Sequence, residues 1–141
     1  MTAYLDASVV VPLLVDEQGS RFAVDYIYSY GGDLVVSDFA AAEVASAVSR
    51  LLRMGQLDRR RAEVALDDFD RLRSSVLRPA ELINGDLRRA DALVRRLDLE
   101  LRAPDAIHLA TARRLEATLV TLDRKMAKAA RALGFLVEPP E

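Results

Sequence analysis

Three short runs, Ala3-Tyr4-Leu5, Leu34-Val35-Val36 and Leu119-Val120-Thr121, lack the apolar-polar alternation of a one-sided strand and are separated by segments of helical periodicity. A strand with one wet face alternates; a strand apolar along its length needs cover on both faces. Buried runs divided by helices therefore predict a central, mostly parallel sheet with helices on either side, a three-layer α/β/α arrangement. Local signals place the rest. A short helix over 9–15 carries Pro12 in its first turn, and 20–30 is amphipathic through Phe22, Ala23, Tyr26 and Ile27 until Gly31-Gly32 stops it. Ser37-Asp38 caps a helix over 39–53 that closes near Gly55, and Asp58 caps another over 59–73. A short strand is expected at 75–77, and helices at 86–97, 104–115 (opened by Pro104) and 123–133 (ended by Gly134). A last strand over 135–137 precedes Pro139-Pro140.

Composition narrows the chemistry. At 141 residues and 51% hydrophobic, the chain suits one domain over 1–141 with its own core. It has no cysteine, so disulfides, thiolate metal sites and a cysteine nucleophile are excluded. With His108 as its one histidine, a multi-histidine site is excluded too, and any bound metal must rest mainly on oxygen. The first residues carry no basic leader and apolar cleavage region, and no run approaches the roughly 18 apolar residues of a membrane span. A cytoplasmic protein is expected. The net charge of -2 gives no overall nucleic-acid signature. Of 20 basic residues only Lys125 and Lys128 are lysines, and most arginines lie on helices that also carry acids, as solvated faces with i,i+4 pairs do.

Four acids stand out. In open α/β sheets functional groups collect at the carboxyl ends of strands, and Asp6 and Asp123 follow the first and third clear strands. Glu43 sits among Ala40, Ala41, Ala42 and Ala45, where small neighbours leave room for an approaching group. Asp105 lies in the first turn of a helix rich in Ala106, Ile107, Leu109 and Ala110. Each has a purely structural reading: Asp6 and Asp123 as helix caps, Asp105 as a complement to the helix dipole. Convergence would change that, because two carboxylates about 5 Å apart repel by roughly 3 kcal/mol at an effective dielectric near 20. Oxygen ligands then point to Mg²⁺ or Mn²⁺.

Four segments in order, Tyr4-Leu5-Asp6-Ala7-Ser8, Ala42-Glu43-Val44, Pro104-Asp105-Ala106-Ile107-His108-Leu109-Ala110-Thr111-Ala112 and Leu119-Val120-Thr121-Leu122-Asp123-Arg124-Lys125-Met126, resemble those of PIN-domain nucleases. Within that family the chain is similar to the VapC-type toxins of bacterial toxin–antitoxin modules. The resemblance covers nearly the whole chain and implies a metal-dependent endoribonuclease with Asp6, Glu43, Asp105 and Asp123 as its catalytic and metal-holding acids. By the same match Ser8 assists the metal shell or orients substrate, and Thr121 is a further candidate; Arg124 and Lys125, next to Asp123, are placed to touch the RNA backbone. His108, on the Asp105 face of its helix, reads as a packed histidine satisfied by a backbone group and stays outside the catalytic set.

The implied chemistry is attack of a metal-activated water on phosphorus. The implied partners are RNA, a cognate antitoxin and a second copy of the chain. The helices near 10–30 and 39–72 are the expected antitoxin and dimer surfaces, with the antitoxin's C-terminal segment over the acidic cleft. The small chain without an appended domain favours the toxin. A PIN-domain nuclease of RNA processing and an inactive PIN-like RNA-binding module are the alternatives. A haloacid-dehalogenase phosphatase would want an aspartate where Ser8 stands. A receiver domain would want an acidic pair near its first aspartate and a lysine after a late strand, whereas both lysines here lie in the last helix.

Overall fold

The computed structural model describes residues 1–139, so the second proline of the Pro139-Pro140 pair lies outside the described residues. Among the described residues five strands form one sheet: β1 Thr2–Leu5, β2 Asp33–Ser37, β3 Leu77–Ala80, β4 Thr118–Val120 and β5 Val137–Glu138. Their order is β3-β2-β1-β4-β5, and every pairing is parallel. Among the same described residues seven α-helices cover it: α1 Ala7–Leu14, α2 Ser20–Ser29, α3 Asp38–Arg53, α4 Arg59–Ser75, α5 Asn84–Val94, α6 Ala103–Arg114 and α7 Arg124–Ala132. A short 3-10 turn, Leu97–Leu99, precedes α6.

The two-residue period of a strand explains the layers. Ala3 and Leu5 of β1 enter one core with Leu34, Val36, Val120 and side chains of α1 to α4, among them Val9, Ile27, Val44 and Phe69. Tyr4, between them, enters the other core with Leu119 and with Leu109, Ala112, Met126 and Ala130 of α6 and α7. Each fully buried Leu or Val side chain contributes about 1.5–3 kcal/mol, so both faces of β1 resist polar replacement. Among the described residues no helix is long and apolar enough to cross a membrane.

Several boundaries differ from expectation. Pro12 lies inside α1 rather than in its first turn, because the helix already begins at Ala7; proline there forfeits the backbone bond to the residue four before it. The strand expected at 75–77 is β3, begun at Leu77 once α4 has run through Ser75. It carries exposed Arg78 and Pro79, which suits an edge strand needing one hydrogen-bonded neighbour. The helix expected at 86–97 starts at Asn84 and ends at Val94. The last strand falls at Val137–Glu138 instead of 135–137.

The order of strands sets the site. The chain steps outward from β1 to β2 and β3, then returns to the other side of β1 to lay down β4 and β5. The carboxyl ends of β1 and β4 therefore flank the switch point of the sheet, where open α/β folds bind ligands.

Candidate active site

Asp6 follows β1 directly, and its backbone N–H donates to the Val120 carbonyl of β4 at 3.3 Å. It occupies the N-cap position of α1, yet its side chain caps nothing. Instead Ser8 Oγ donates to Oδ1 at 2.6 Å and Thr121 Oγ1 donates to Oδ2 at 2.8 Å. Those hydroxyls are themselves fixed from behind: Leu122 N donates to Ser8 Oγ at 2.8 Å and Asp123 N to Thr121 Oγ1 at 3.0 Å. Two backbone amides thus orient two hydroxyls, and the hydroxyls hold one carboxylate. Asp6 is 4% exposed, and among the described residues no lysine or arginine pairs with it. Burial pushes its carboxyl above the ordinary carboxylate range despite the Ser8 hydroxyl, His108 and the Thr121 hydroxyl, while the Asp123 charge adds to the rise.

Asp123 does cap a helix. Its Oδ1 accepts from Lys125 N at 3.0 Å and Met126 N at 3.1 Å. Neither cap bond uses Oδ2.

Glu43 enters from α3, where its carboxylate meets His108 Nε2 of α6. His108 is buried, and its Nδ1 lies 2.7 Å from the Tyr4 hydroxyl, which is 2.8 Å from Ser37 Oγ. Ser37 Oγ in turn accepts from Ala40 N at 3.0 Å. With His108 neutral, one direction satisfies every atom: Ser37 donates to Tyr4, Tyr4 to His108 and His108 to Glu43. Burial, the main influence, holds the Tyr4 phenol protonated well above its ordinary range. The sequence reading of His108 is corrected here: its partners are two side chains, one of them a predicted site acid. Tyr4 and Ser37 were missed because a tyrosine between Ala3 and Leu5 reads only as core and a serine before a helix only as a cap.

Removing the Tyr4 hydroxyl would leave His108 Nδ1 buried without its partner. Tyr4→Phe is expected to cost about 1–3 kcal/mol, read as a lower urea midpoint with an unchanged denaturant slope.

Asp105 stands in the first turn of α6, three residues before His108 and so on the same helix face. Its Oδ2 accepts from Arg102 N at 3.3 Å, and Arg102 Nε lies 3.9 Å away. No direct bond joins it to the other acids. The structure therefore binds Asp6, Ser8, Thr121 and Asp123 into one network and ties Glu43 to His108 beside it, with Asp105 a helical turn away. Among the described residues no three acids or histidines stand close enough together to form a ready-made metal cluster. What is present suits a hard cation that keeps most of its water and takes one or two carboxylates: oxygen donors only, and a buried carboxylate with no basic partner. Arg124, at the start of α7, is exposed beside this network.

Known proteins resemble the chain over nearly its whole length. The PIN domain family model matches residues 3–132. Ribonuclease VapC46 of Mycobacterium tuberculosis is 38% identical over 140 residues, covering 97% of this chain and 96% of that protein. Among solved structures, Mycobacterium tuberculosis VapC20, a Sarcin-Ricin loop cleaving toxin, superposes with a TM-score of 0.73 at 22% identity, over 96% of this chain and 97% of the other. A toxin–antitoxin complex from Klebsiella pneumoniae gives 0.69 at 21% identity, over 99% of this chain and 98% of that one.

Proposed function

The chain belongs to the PIN-domain family, and from that premise we propose that it is an endoribonuclease, dependent on Mg²⁺ or Mn²⁺, acting as the toxin of a toxin–antitoxin pair. The observation that carries the reading is Asp6: a carboxylate buried at the switch point of the sheet, gripped by two hydroxyls and left without a basic side chain. A buried charge without a counter-charge is costly, and a divalent cation supplies one. Asp6 and Asp123 would hold it, and Glu43 and Asp105 complete the acidic set. When bound, the cation supplies acidification of a water for attack on phosphorus and relief of charge on the phosphodiester oxygens.

The chain's own residues do the positioning. Ser8 and Thr121 fix both oxygens of Asp6, so its carboxylate does not have to reorganise when a ligand arrives. His108 holds Glu43 in place from the opposite core, and Tyr4 holds His108. Asp123 keeps one oxygen on the start of α7 and leaves the other available. Arg124, exposed one residue on, meets the RNA backbone.

The toxin role follows from kinship with Ribonuclease VapC46 and from likeness to a toxin seen with its antitoxin. It assigns residues 1–141 to one PIN domain acting in the cytoplasm as a homodimer, restrained by a cognate antitoxin. Induced expression in a bacterial host is expected to arrest growth within a generation or so of induction, with new RNA 5′ ends concentrated at a few sites. Continued growth with unchanged RNA ends would count against the toxin reading and favour a nuclease of RNA processing or an inactive binder.

A further inference from the structure

Several of this chain's arginines are neutralised where they stand. Arg21, Arg59, Arg61, Arg71, Arg95 and Arg96 each face an acid within four residues, and Arg78 and Arg114 face Asp33 and Asp86. Helix α7 is different. Its sequence, RKMAKAARA, contains four cations and no acid. Met126, Ala127, Ala129 and Ala130 are buried, whereas Arg124, Lys125 and Lys128 are exposed. Among the described residues Arg124 and Lys128 form no ion pair with a carboxylate. Arg124, Lys128 and Arg131 follow one another at spacings of four and three, which places them along one helix face.

That face is one wall of a groove of about 1120 Å³, whose other walls are Gln18, Gly19, Leu122 and Pro139. Arg131 also donates to the Pro139 carbonyl at 2.9 Å, which steadies its end of the groove. Gly19 lets the opposite wall come close. Its φ is +99°, and a Cβ there would stand 2.6 Å from Leu122 Cδ1. Leu122 lies between Thr121 and Asp123 in the chain, so this wall of the groove is one residue from the acidic network in sequence. No acid lines it.

We infer that this groove is the track for the RNA strand leaving the cleavage site, with Arg124, Lys128 and Arg131 facing successive backbone phosphates. The inference rests on the ribonuclease reading and extends it. An acidic catalytic cleft repels phosphate, so affinity must be supplied beside it, and the cations of α7, starting next to Asp123, supply it. From residue 124 to residue 131 the helix advances roughly 10 Å, and a stacked strand at about 3.4 Å per nucleotide passes about three phosphates in that span. Backbone contacts of this kind position the strand without reading its sequence.

The test measures binding of the full chain to an oligouridine of about 20 nucleotides in EDTA, by fluorescence anisotropy across about 50–400 mM salt. The double variant Arg124→Gln/Lys128→Gln leaves the Arg131–Pro139 contact alone. At about 0.7 per phosphate contact on a single strand, the slope of log affinity against log salt should shrink by about 1.4, and affinity at about 200 mM salt should fall roughly tenfold. The charge-matched Arg95→Gln/Arg96→Gln variant should keep the parental slope. An unchanged slope in the first variant would overturn the inference, as would an equal loss in the control. Polyglutamate competing as well as oligouridine would also overturn it, by showing an acidic protein partner to be the ligand. If the parent cleaves RNA while the groove variant binds normally, this inference alone fails; if the parent neither binds nor cleaves RNA, the ribonuclease reading fails with it.

Discussion

Asp6→Asn is expected to lower the rate of RNA cleavage on the order of 10³-fold or more while the protein stays folded. The replacement keeps the shape of the side chain, so the space between Ser8, Thr121 and the start of α1 remains filled. What changes is charge and donor pattern: an amide cannot hold a divalent cation as a carboxylate does. Its NH₂ also confronts a hydroxyl that donates to Asp6 in the parent. Stability should move little or upward in the absence of divalent ions, since a buried charge without a counter-charge has been removed. Addition of Mn²⁺ at about 100 times its dissociation constant should stabilise the parent by about 2.7 kcal/mol and leave the variant unmoved, which thermal denaturation reads. A folded variant that still cleaves RNA at the parental rate would remove Asp6 from the site.

The second large effect concerns stability. Asp86, on α5, is 0% exposed and is gripped by the Arg114 fork of α6, with Nε to Oδ1 and Nη2 to Oδ2 both at 2.8 Å. Its Oδ2 also accepts from Ile83 N, and Arg114 Nη2 reaches the Glu81 carbonyl. One pair therefore ties the β3–α5 loop and the start of α5 to α6. Asp86→Ala should cost about 3–5 kcal/mol, because it strands a partly buried guanidinium. Replacing both partners, Asp86→Leu with Arg114→Met, should recover much of that, because no uncompensated charge remains. The pH dependence has a definite sign. Burial pushes the Asp86 carboxyl up, but Arg114 and the Ile83 amide outweigh it, so its pKa is lowered on folding. The pair's contribution is then fully present above the ordinary carboxylate range and is lost as pH falls below about 4. Urea unfolding of parent and double variant should converge in stability as pH is lowered through that range.

These two sites differ in how far the sequence reveals them. Asp6 and Asp123 were legible because a parallel sheet announces itself in strands apolar on both faces, and such sheets present their functional groups at strand ends. Glu43 and Asp105 stand out by their alanine-rich and apolar helical surroundings, and the PIN-like segments imply that they join the first two. The fork between Asp86 and Arg114 was not legible: both look like ordinary surface charges on amphipathic helices, and only the packing of α5 on α6 joins them across 28 residues. The same holds for Tyr4, His108 and Glu43, whose contacts span 104 and 65 residues. Strand β3 extends past its expected end at Leu77 because an edge strand needs neither apolar residues nor every backbone N–H, so Arg78-Pro79 carries no strand signal. Pro12 reads as a helix start because proline is well tolerated there; α1 begins two residues earlier than expected, at Ala7, and accepts it inside.

The central claim is that buried Asp6 and its neighbours cleave RNA with the help of a divalent cation. The most direct test is the initial rate of cleavage of a labelled RNA as Mn²⁺ is titrated into EDTA-stripped protein, with parent and Asp6→Asn side by side. The account predicts a parental rate that is negligible without the ion and rises to saturation with it, and no rise in the variant. Cleavage at full rate in EDTA, or an identical titration curve for both proteins, would contradict it.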